Sequence, residues 1–329
     1  MRLVPFALAA LATTAAHAGT DYRISGPYTH DNLAIFLVHS HEKLGGKTYL
    51  TLDEALEHRL VVVYETSNVN MLLIANLSKE EVYVQSGDIV KGGKQDRVVR
   101  EDMILPPMSG KVAIDVFCVE QGRWTQRGSE SSGQFGSSRQ SISGNKMKMA
   151  VRADADQRAV WDKVAEAQQR LSKNLSAPVQ SAQSASSFQL TLESTTLRVS
   201  SKSYESALAP LIERYTDSVG YVVSVNGKVT GADVYASHAL FRKLWPKLIA
   251  SAAVEAIATG KSAAPAPPPS YDEVKAVVAG PKDSRHDTAR QVNQQTEVRK
   301  KESESGVSFE TRDAKAPAGP SVHRSYVAK

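Results

Sequence analysis

Short apolar runs, rich in β-branched side chains, alternate with turn residues between residues 33 and 124. The candidate strands are NLAIFLV, LVVVYE, NMLLIAN, EVYVQSG, DRVV and KVAIDVFCVE. Ser, Asn, Gly or Pro stands between most of them, as the turns between short strands require. Thr51 and Glu54 have the spacing of a capping box, which predicts one early helix. The pattern favours an antiparallel sandwich or a partly closed barrel.

Helical spacing of the apolar residues dominates after residue 146. One broad face of a long helix collects Val160, Trp161, Val164, Leu171 and Leu175. This face is expected to lie against the sheet. A short strand, SFQLTLE, and a helix near residues 205 to 217 are predicted to follow.

A hairpin and a final helix complete the folded body. Asn226-Gly227 supplies the positive φ angles of a tight turn between two strands. Pro246 should kink or restart the last helix, because proline lacks the N–H that an uninterrupted helix uses. We therefore predict an α+β fold with a single domain over residues 19–260, in which a β-rich part, 19–124, is packed with helices and a hairpin from 146–260.

Ser and Gly dominate residues 125–145, TQRGSESSGQFGSSRQSISGN, directly after the last candidate strand. Phe135 and Ile142 are the sizeable apolar side chains in this stretch. The composition predicts a long mobile loop. Such a loop inside a folded body is either a lid over a site or plain disorder.

The C-terminal residues 261–329 contain no Leu, Ile, Met or Trp. A segment with so little apolar surface is not expected to fold alone. APAPPPS, residues 264–270, predicts a stiff spacer, and residues 286–304 have the composition of a transient polar helix. The segment is predicted to be a disordered tail, either merely solvated or a tether for a partner.

The first eighteen residues have the three parts of a signal peptide. Arg2 gives the positive start, an apolar core follows, and Ala16-His17-Ala18 is a small-x-small cleavage site. The apolar run is about half of the roughly 20 residues that a membrane-spanning helix needs. We expect cleavage near Ala18, a mature chain without a transmembrane segment, and a location in the periplasm or outside the cell.

Cysteine usage and charge narrow the class of protein. Cys118 is the single cysteine, so an intrachain disulfide is excluded. The net charge is +5, but residues 261–329 carry 12 Lys and Arg against 9 Asp and Glu. The remaining body is nearly neutral and shows no basic stripe, so nucleic acid is not expected as a partner.

Two polar motifs adjoin candidate strands: GGKQDR, residues 92–97, leads into DRVV, and CVEQGRW, residues 118–124, ends KVAIDVFCVE. Glu120 follows Cys118 on one strand face, where a carboxylate needs a cation or water. Arg97 could bridge to Glu120 and link the strands as a structural pair. Alternatively, the motifs form a ligand site, whose candidate residues are Lys94, Gln95, Asp96, Arg97, Glu120, Arg123 and Trp124.

In the ligand-site interpretation, the basic and amide side chains of these motifs donate to an anionic group. Glu120 would orient one arginine, and Trp124 would supply an apolar wall. The Gly92-Gly93 turn would let main-chain N–H groups approach the same anion. Cys118 continues an apolar stripe and is expected to be a small buried hydrophobe.

His39 and His41 are weak candidates for a metal site. They alternate on one strand face close to Glu42, and two histidines with a carboxylate can bind zinc or iron. Exposed histidines at a strand end are the simpler interpretation, so neither a metal nor another cofactor is predicted.

The two motifs, together with Gly87-Asp88, Pro106-Pro107 and the later VNGKVTGADVYASHALFRKLWPKLI, carry a resemblance. The chain resembles the family called the ARG and Rhodanese-Phosphatase-superfamily-associated Protein domain over about residues 21–260. Both family motifs are intact, with Gly93 where Ala is common and Asp96 where Asn is common. The resemblance implies a domain boundary and a motif list, but no assigned activity.

Two classes of function fit these observations. The first is a noncatalytic exported module that binds a small anionic ligand or a protein partner through the two motifs. The alternative is a hydrolase with Glu120 as general acid/base, in which Arg97 and Arg123 bind an anionic substrate group. The first is preferred because the sequence has no nucleophile elbow, complete metal triad or carboxylate pair typical of glycosidases.

Overall fold

The computed structural model describes residues 22–329, except 42, 44, 45, 143, 265, 282, 317 and 318. The predicted signal peptide and its cleavage site therefore lie outside the described residues. The described chain is α+β, as predicted, and its strands form a closed barrel, a large antiparallel sheet and a small third sheet. Helices follow mainly in the second half of the chain.

Six strands close into a barrel in the order β10-β5-β4-β11-β7-β8. Their bounds are β4 Val61–Asn68, β5 Met71–Asn76, β7 Asp88–Gly92, β8 Arg97–Val99, β10 Gly110–Cys118 and β11 Gln134–Ser141. Side chains that alternate inward along these strands fill the interior, among them Val63, Ile74, Val90 and Val116. Of the two predicted architectures, the first half of the chain therefore adopts the barrel, and the barrel is fully closed.

The predicted mobile loop is wrong in part, because residues 134–141 form β11 and close the barrel between β4 and β7. Ser137 and Ser138 of this strand are half-buried and Ser141 is buried, while Phe135 packs in the barrel core. Backbone pairing with two neighbours holds a strand whose own side chains contribute little apolar area. Composition alone could not show that pairing.

A small sheet and a short helix lie beside the barrel. The strands are β3 Leu50–Thr51, β6 Val82–Val84 and β9 Met103–Leu105. Helix α1 spans Leu52–Glu57, and both hydrogen bonds of the predicted capping box between Thr51 and Glu54 are present. The local signal at the helix start is thus confirmed.

Eight antiparallel strands form the large sheet in the order β1-β2-β12-β13-β17-β16-β15-β14. Their bounds are β1 Arg23–His30, β2 Leu33–His39, β12 Ser218–Val225, β13 Lys228–Tyr235, β14 His286–Asn293, β15 Thr296–Glu302, β16 Gly306–Asp313 and β17 His323–Ala328. The predicted turn at Asn226-Gly227 joins β12 to β13, and both residues have positive φ.

The predicted disordered tail is wrong. Residues from 271 onward form helix α8, Tyr271–Ala279, and the four strands β14 to β17, and the proposed polar helix over 286–304 is part of a β-hairpin. Valine and aromatic side chains supply the buried surface in place of Leu and Ile, among them Val298, Val307, Phe309 and Val327. The segment docks by extending an existing sheet at β13, so it does not need a core of its own.

Helices cover the sheet and barrel from one side. Their bounds are α2 Asn145–Lys148, which continues as a π-helical segment Met149–Asp154, α3 Gln157–Leu175, α4 Phe188–Leu192, α5 Thr195–Leu208, α6 Leu211–Arg214 and α7 His238–Thr259. The predicted α3 face is buried at Val160, Val164 and Leu171, while Trp161 and Leu175 are half-buried.

Two details of the helical part differ from the sequence prediction. SFQLTLE forms α4 and not a strand, because Ser187 caps the helix and Phe188 with Thr191 and Leu192 gives one buried helical face. The last helix, α7, continues past Pro246 as one element, so the predicted restart is wrong.

Candidate functional site

The two motifs meet at one end of the barrel. β8 and β10 pair antiparallel, with Arg97 opposite Cys118. Beyond the paired residues, the Gln95 amide donates to the Glu120 carbonyl oxygen over 3.1 Å, and the Asp96 backbone N–H donates to Glu120 Oε2 over 3.3 Å. The adjacency of two short strands thus brings all seven predicted motif residues into one cluster.

Glu120 is completely buried and pairs with arginines other than the one expected. Arg123 lies 2.8 Å from Glu120 Oε2 through both Nε and Nη2, and Arg127 Nη1 lies 3.7 Å from Oε1. In the described chain, no Arg97–Glu120 contact lies within ion-pair distance. The predicted bridge therefore names the wrong cation. Arg123, three residues after Glu120, pairs with this carboxylate in place of Arg97.

Asp96 accepts a bidentate pair of hydrogen bonds from Arg127. Nη1 donates to Oδ2 over 2.7 Å and Nη2 donates to Oδ1 over 2.9 Å, and both side chains are buried. The Ser187 hydroxyl, which caps α4, also donates to Asp96 over 3.1 Å. Burial lowers the pKa of Arg127, but the hydrogen bonds to Asp96 and Glu130 outweigh it and raise that pKa.

Arg97 is 0 % exposed and incompletely paired. Its Nη1 donates to the Gln95 carbonyl over 2.7 Å, and Nη2 lies 3.8 Å from Glu65 Oε2. Among the described residues, its Nε and Nη2 have no hydrogen-bond partner. The guanidinium carbon lies 5.7 Å from the ring centroid of Trp124, so the indole covers this buried cation.

Lys94 and Trp124 lie at the outer edge of the cluster. Lys94 Nζ is 5.2 Å from the Trp124 ring centroid and donates to the Ser67 hydroxyl over 2.8 Å. The Lys94 backbone N–H donates to Glu65 over 3.0 Å. Trp124 is 41 % exposed, which makes it the outward aromatic face of the two motifs.

The Gly92-Gly93 turn serves the fold and not an anion. Both residues have positive φ, and a Cβ on Gly93 would lie 2.2 Å from the Phe135 ring. The Gly92 N–H donates to Asp96 and the Gly93 N–H to Ser131. The predicted approach of these N–H groups to a ligand is thus replaced by internal hydrogen bonds.

We call the six buried or nearly buried charged residues of this cluster the motif ion layer: Glu65, Asp96, Arg97, Glu120, Arg123 and Arg127. Glu65 and Arg127 were missed by sequence reasoning. Arg127 lies in the stretch interpreted as a mobile loop, and Glu65 ends the candidate strand LVVVYE with no motif around it. The motifs themselves gave no signal for either residue, because their two carboxylates, Asp96 and Glu120, are already outnumbered by three cations, Lys94, Arg97 and Arg123.

Cys118 is a buried free thiol, as expected. Burial raises the pKa of its thiol to about 11. His238, which a catalytic thiol would need as a base, contacts the Ser218 carbonyl through Nδ1. Gln157 of α3 forms two hydrogen bonds with the Cys118 backbone. The Cys118 N–H donates to Gln157 Oε1 over 2.8 Å, and Gln157 Nε2 donates to the Cys118 carbonyl oxygen over 2.9 Å.

The weak metal candidates are not assembled into a site. His39 is buried, with one ring nitrogen 2.6 Å from the Ser25 hydroxyl and the other 2.8 Å from Asp217. His41 is exposed at the end of β2, and Glu42 lies outside the described residues. Within the described ranges, His, Cys, Asp and Glu form no group of three suited to a metal ion.

A second buried charge cluster joins the barrel side of the molecule to the C-terminal strands. The His323 ring lies 2.8 Å from Asp102 through Nδ1 and 3.1 Å from Asp233 through Nε2. Arg152 also contacts Asp102, over 3.0 Å. Burial disfavours the charged forms of Asp102 and His323, but the attraction between opposite charges outweighs it. Arg152 and His323 lower the pKa of Asp102, and Asp102 raises the pKa of His323.

The His323 cluster borders a cavity of about 30 Å³, room for about two water molecules. Four other cavities of the described chain have volumes of about 80 to 560 Å³, and none of these five cavities is lined by a residue of the motif ion layer. The motifs therefore form a closed layer with one exposed edge and not an open cleft.

Comparisons with known proteins give a family and no closer relative. The family model described as the ARG and Rhodanese-Phosphatase-superfamily-associated Protein domain matches residues 21–327, so it includes the C-terminal strands beyond the expected limit near 260. No curated protein and no solved structure matches this chain. None of the helices in the described ranges has the length and apolarity to cross a bilayer. By the family match over nearly its whole length, the chain belongs to the ARG and Rhodanese-Phosphatase-superfamily-associated Protein domain family.

Proposed function

We propose that the protein is a noncatalytic binding module, exported from the cytoplasm, that holds a small anionic ligand or an anionic group of a protein partner at its barrel end. The contact area, which we call the motif surface, consists of Ser67, Val69, Lys94 and Trp124. The observation that carries the proposal is the exposed Trp124 ring, which the buried Arg97 and the outer Lys94 both approach.

The motif ion layer supports this proposal by fixing the position of the surface. Arg123 donates to the carbonyl oxygens of Gly93 and Thr125, so the residues on both sides of Trp124 are tied to the opposite motif. An aromatic side chain held in one position loses little conformational entropy when it binds. Tryptophan is accordingly enriched among the residues that dominate binding energy.

The chemistry of the surface favours an anion attached to an apolar or aromatic body. Lys94 Nζ contacts a hydroxyl, and no carboxylate of the described chain lies within 4.0 Å of it. Val69, 42 % exposed, lies in the turn between β4 and β5, two residues after Ser67. A cation beside an aromatic face can hold a carboxylate or phosphate while the ring contacts the rest of the ligand.

The hydrolase alternative requires Glu120 to reach a substrate. Its carboxylate is completely buried and already contacts the guanidinium groups of Arg123 and Arg127. A general acid or base must lie within hydrogen-bond reach of the reacting group, directly or through one water. This geometry favours the binding module over the enzyme.

Export is tested separately from binding. The full-length chain is expressed in a Gram-negative host, and the mass of the product from the periplasmic fraction is measured. The proposal expects a chain that begins near Gly19. An unprocessed chain retained in the cytoplasm would contradict the export part and leave the binding part standing.

Binding is tested with benzoate and phenyl phosphate, which join an anion to an aromatic ring, and with neutral benzamide as the uncharged comparison. Isothermal titration with wild type should detect both anions and not benzamide, and Trp124→Ala and Lys94→Ala should each abolish the signal. Leu77→Ala is the matched control, because Leu77 is an exposed apolar residue that follows β5 at the opposite barrel end. Equal binding to Trp124→Ala, or no binding of either anion to wild type, would contradict the proposal.

A further inference from the structure

The cavity of about 560 Å³ lies between helices α5 and α7, away from both motifs. Its volume falls in the range of about 300 to 1,000 Å³ typical of sites for small organic ligands. Four further cavities, with about 30 to 260 Å³, are smaller than that range. We call this cavity the α5 groove.

The floor of the α5 groove is apolar apart from the buried Ser201. Leu192 and Leu197 line it from α4 and α5, and Ala250 and Val254 line it from α7. Val199, at its edge, is 68 % exposed, a large apolar side chain without cover. Covering such surface contributes roughly 25 cal/mol for each Å² removed from water.

The rim of the α5 groove is basic. Arg198 and Lys202 both line it and are spaced four residues apart on α5, so they occupy the same helix face. Neither cation has a carboxylate within 4.0 Å among the described residues, although Glu205 also lines the groove. Like charges at this spacing destabilise a helix slightly, and an anion bound between them would remove that repulsion.

We propose that the α5 groove binds an amphipathic monoanion, a carboxylate on an aliphatic chain. Arg198 and Lys202 hold the carboxylate, and the chain lies on Leu197, Ala250 and Val254. The charge on the rim excludes a cationic head group, and the apolar floor distinguishes such a ligand from a bare anion. The site is separate from the motif surface and does not depend on the function proposed for it.

The test measures binding of octanoate to the full mature chain by isothermal titration. Acetate has the same head group without the chain, and octylammonium has the same chain with the opposite charge. Octanoate should bind at least about tenfold more tightly than either, because only octanoate makes both the charge-assisted and the apolar contacts. No octanoate binding to wild type, or equal binding of octylammonium, would overturn the proposal.

Variants locate the ligand. Arg198→Gln with Lys202→Gln should weaken octanoate binding about tenfold through loss of two charge-assisted hydrogen bonds. The control is Arg158→Gln with Lys173→Gln on α3, which removes the same charge from two exposed cations outside the groove. Ala250→Phe should abolish binding by filling the floor. Undiminished binding to the groove double variant or to Ala250→Phe would place octanoate elsewhere and overturn the assignment.

Discussion

Asp96 of the first motif and Arg127 of the neighbouring loop form a buried bidentate ion pair, with hydrogen bonds of 2.7 and 2.9 Å. This pair ties the turn between β7 and β8 to the segment that leads into β11. Together with the Arg123–Glu120 pair, it neutralises charges of the two motifs within the fold. The motifs present Gln121, Gly122 and Trp124 to solvent, with the half-buried Lys94 beside the Trp124 ring.

Cys118 should be inert towards thiol reagents in the native protein. Burial raises the pKa of its thiol to about 11, so at pH 8 roughly one thiol in a thousand is ionised even before access is considered. Labelling with iodoacetamide, followed by mass spectrometry, should show modification only in denaturant. Rapid labelling at pH 8 without denaturant would show that the barrel end opens.

Cys118→Ala should lower the free energy of unfolding by only about 1 to 2 kcal/mol, through lost packing. The neighbouring backbone is held by Gln157 and does not depend on the thiol. Urea unfolding of wild type and variant gives the difference. A loss well above that range would assign the thiol a structural role beyond filling space.

Deleting residues 261–329 should abolish cooperative folding. The deletion removes α8 and strands β14 to β17, uncovers β13 and leaves Asp102 and Arg152 without His323. A chain cleaved after residue 263, with both fragments present, is the control and should keep its thermal transition near that of the intact protein. A 22–260 fragment that melts cooperatively at the wild-type temperature would contradict this prediction.

The His323 cluster should make stability depend on pH. The folded-state pKa of His323 is raised, so its contribution is complete below the unfolded value, about 6.5, and is lost as pH rises through the folded pKa. The pKa of Asp102 is lowered, so its contribution is present above about 4 and is lost as pH falls through the folded pKa. The cluster therefore stabilises most between about pH 4 and 6.5.

Urea unfolding of wild type and His323→Gln from pH 5 to 9 measures this dependence. Above pH 6.5 the wild type should lose stability with rising pH, and the variant should lose much less. Burial also raises the pKa of Asp88, to about 6. Most of the Asp88 carboxyl is already ionised above pH 6.5, so it contributes little to the change in stability measured there. Parallel curves for the two proteins above pH 6.5 would contradict the role of His323.

Local signals in the sequence predicted local structure well. The capping box at Thr51 and the tight turn at Asn226-Gly227 each depend on residues within one turn of chain, and both are present. The strand candidates before residue 124 succeeded for the same reason, since each carries its own β-branched apolar run. The motifs were found because their residues are close in sequence to those strands.

Structure that depends on a distant partner was missed. β11 is held by backbone pairing to β4 and β7, and the C-terminal strands by docking on β13, so neither segment needs an apolar pattern of its own. Asp102 and His323 are 221 residues apart in the chain. Arg127 reaches Asp96 across 31 residues from a stretch that composition describes as loop.

The most direct test of the central claim, that the motif charges are paired inside the fold, is a double-mutant cycle on Asp96→Asn and Arg127→Gln. Each single variant removes one charge of the buried bidentate pair and should lower the free energy of unfolding by about 3 to 5 kcal/mol. The exposed pair Arg170–Glu166 on α3 serves as the control cycle and should couple by less than about 1 kcal/mol.

The claim predicts a coupling energy of about 2 kcal/mol or more between Asp96 and Arg127, measured by urea unfolding at pH 6. The double variant should then be less destabilised than the sum of the two single variants by at least that amount. Additive effects, with a coupling energy within about 0.5 kcal/mol of zero, would show that the two side chains act independently and would contradict the ion-paired layer on which the account depends.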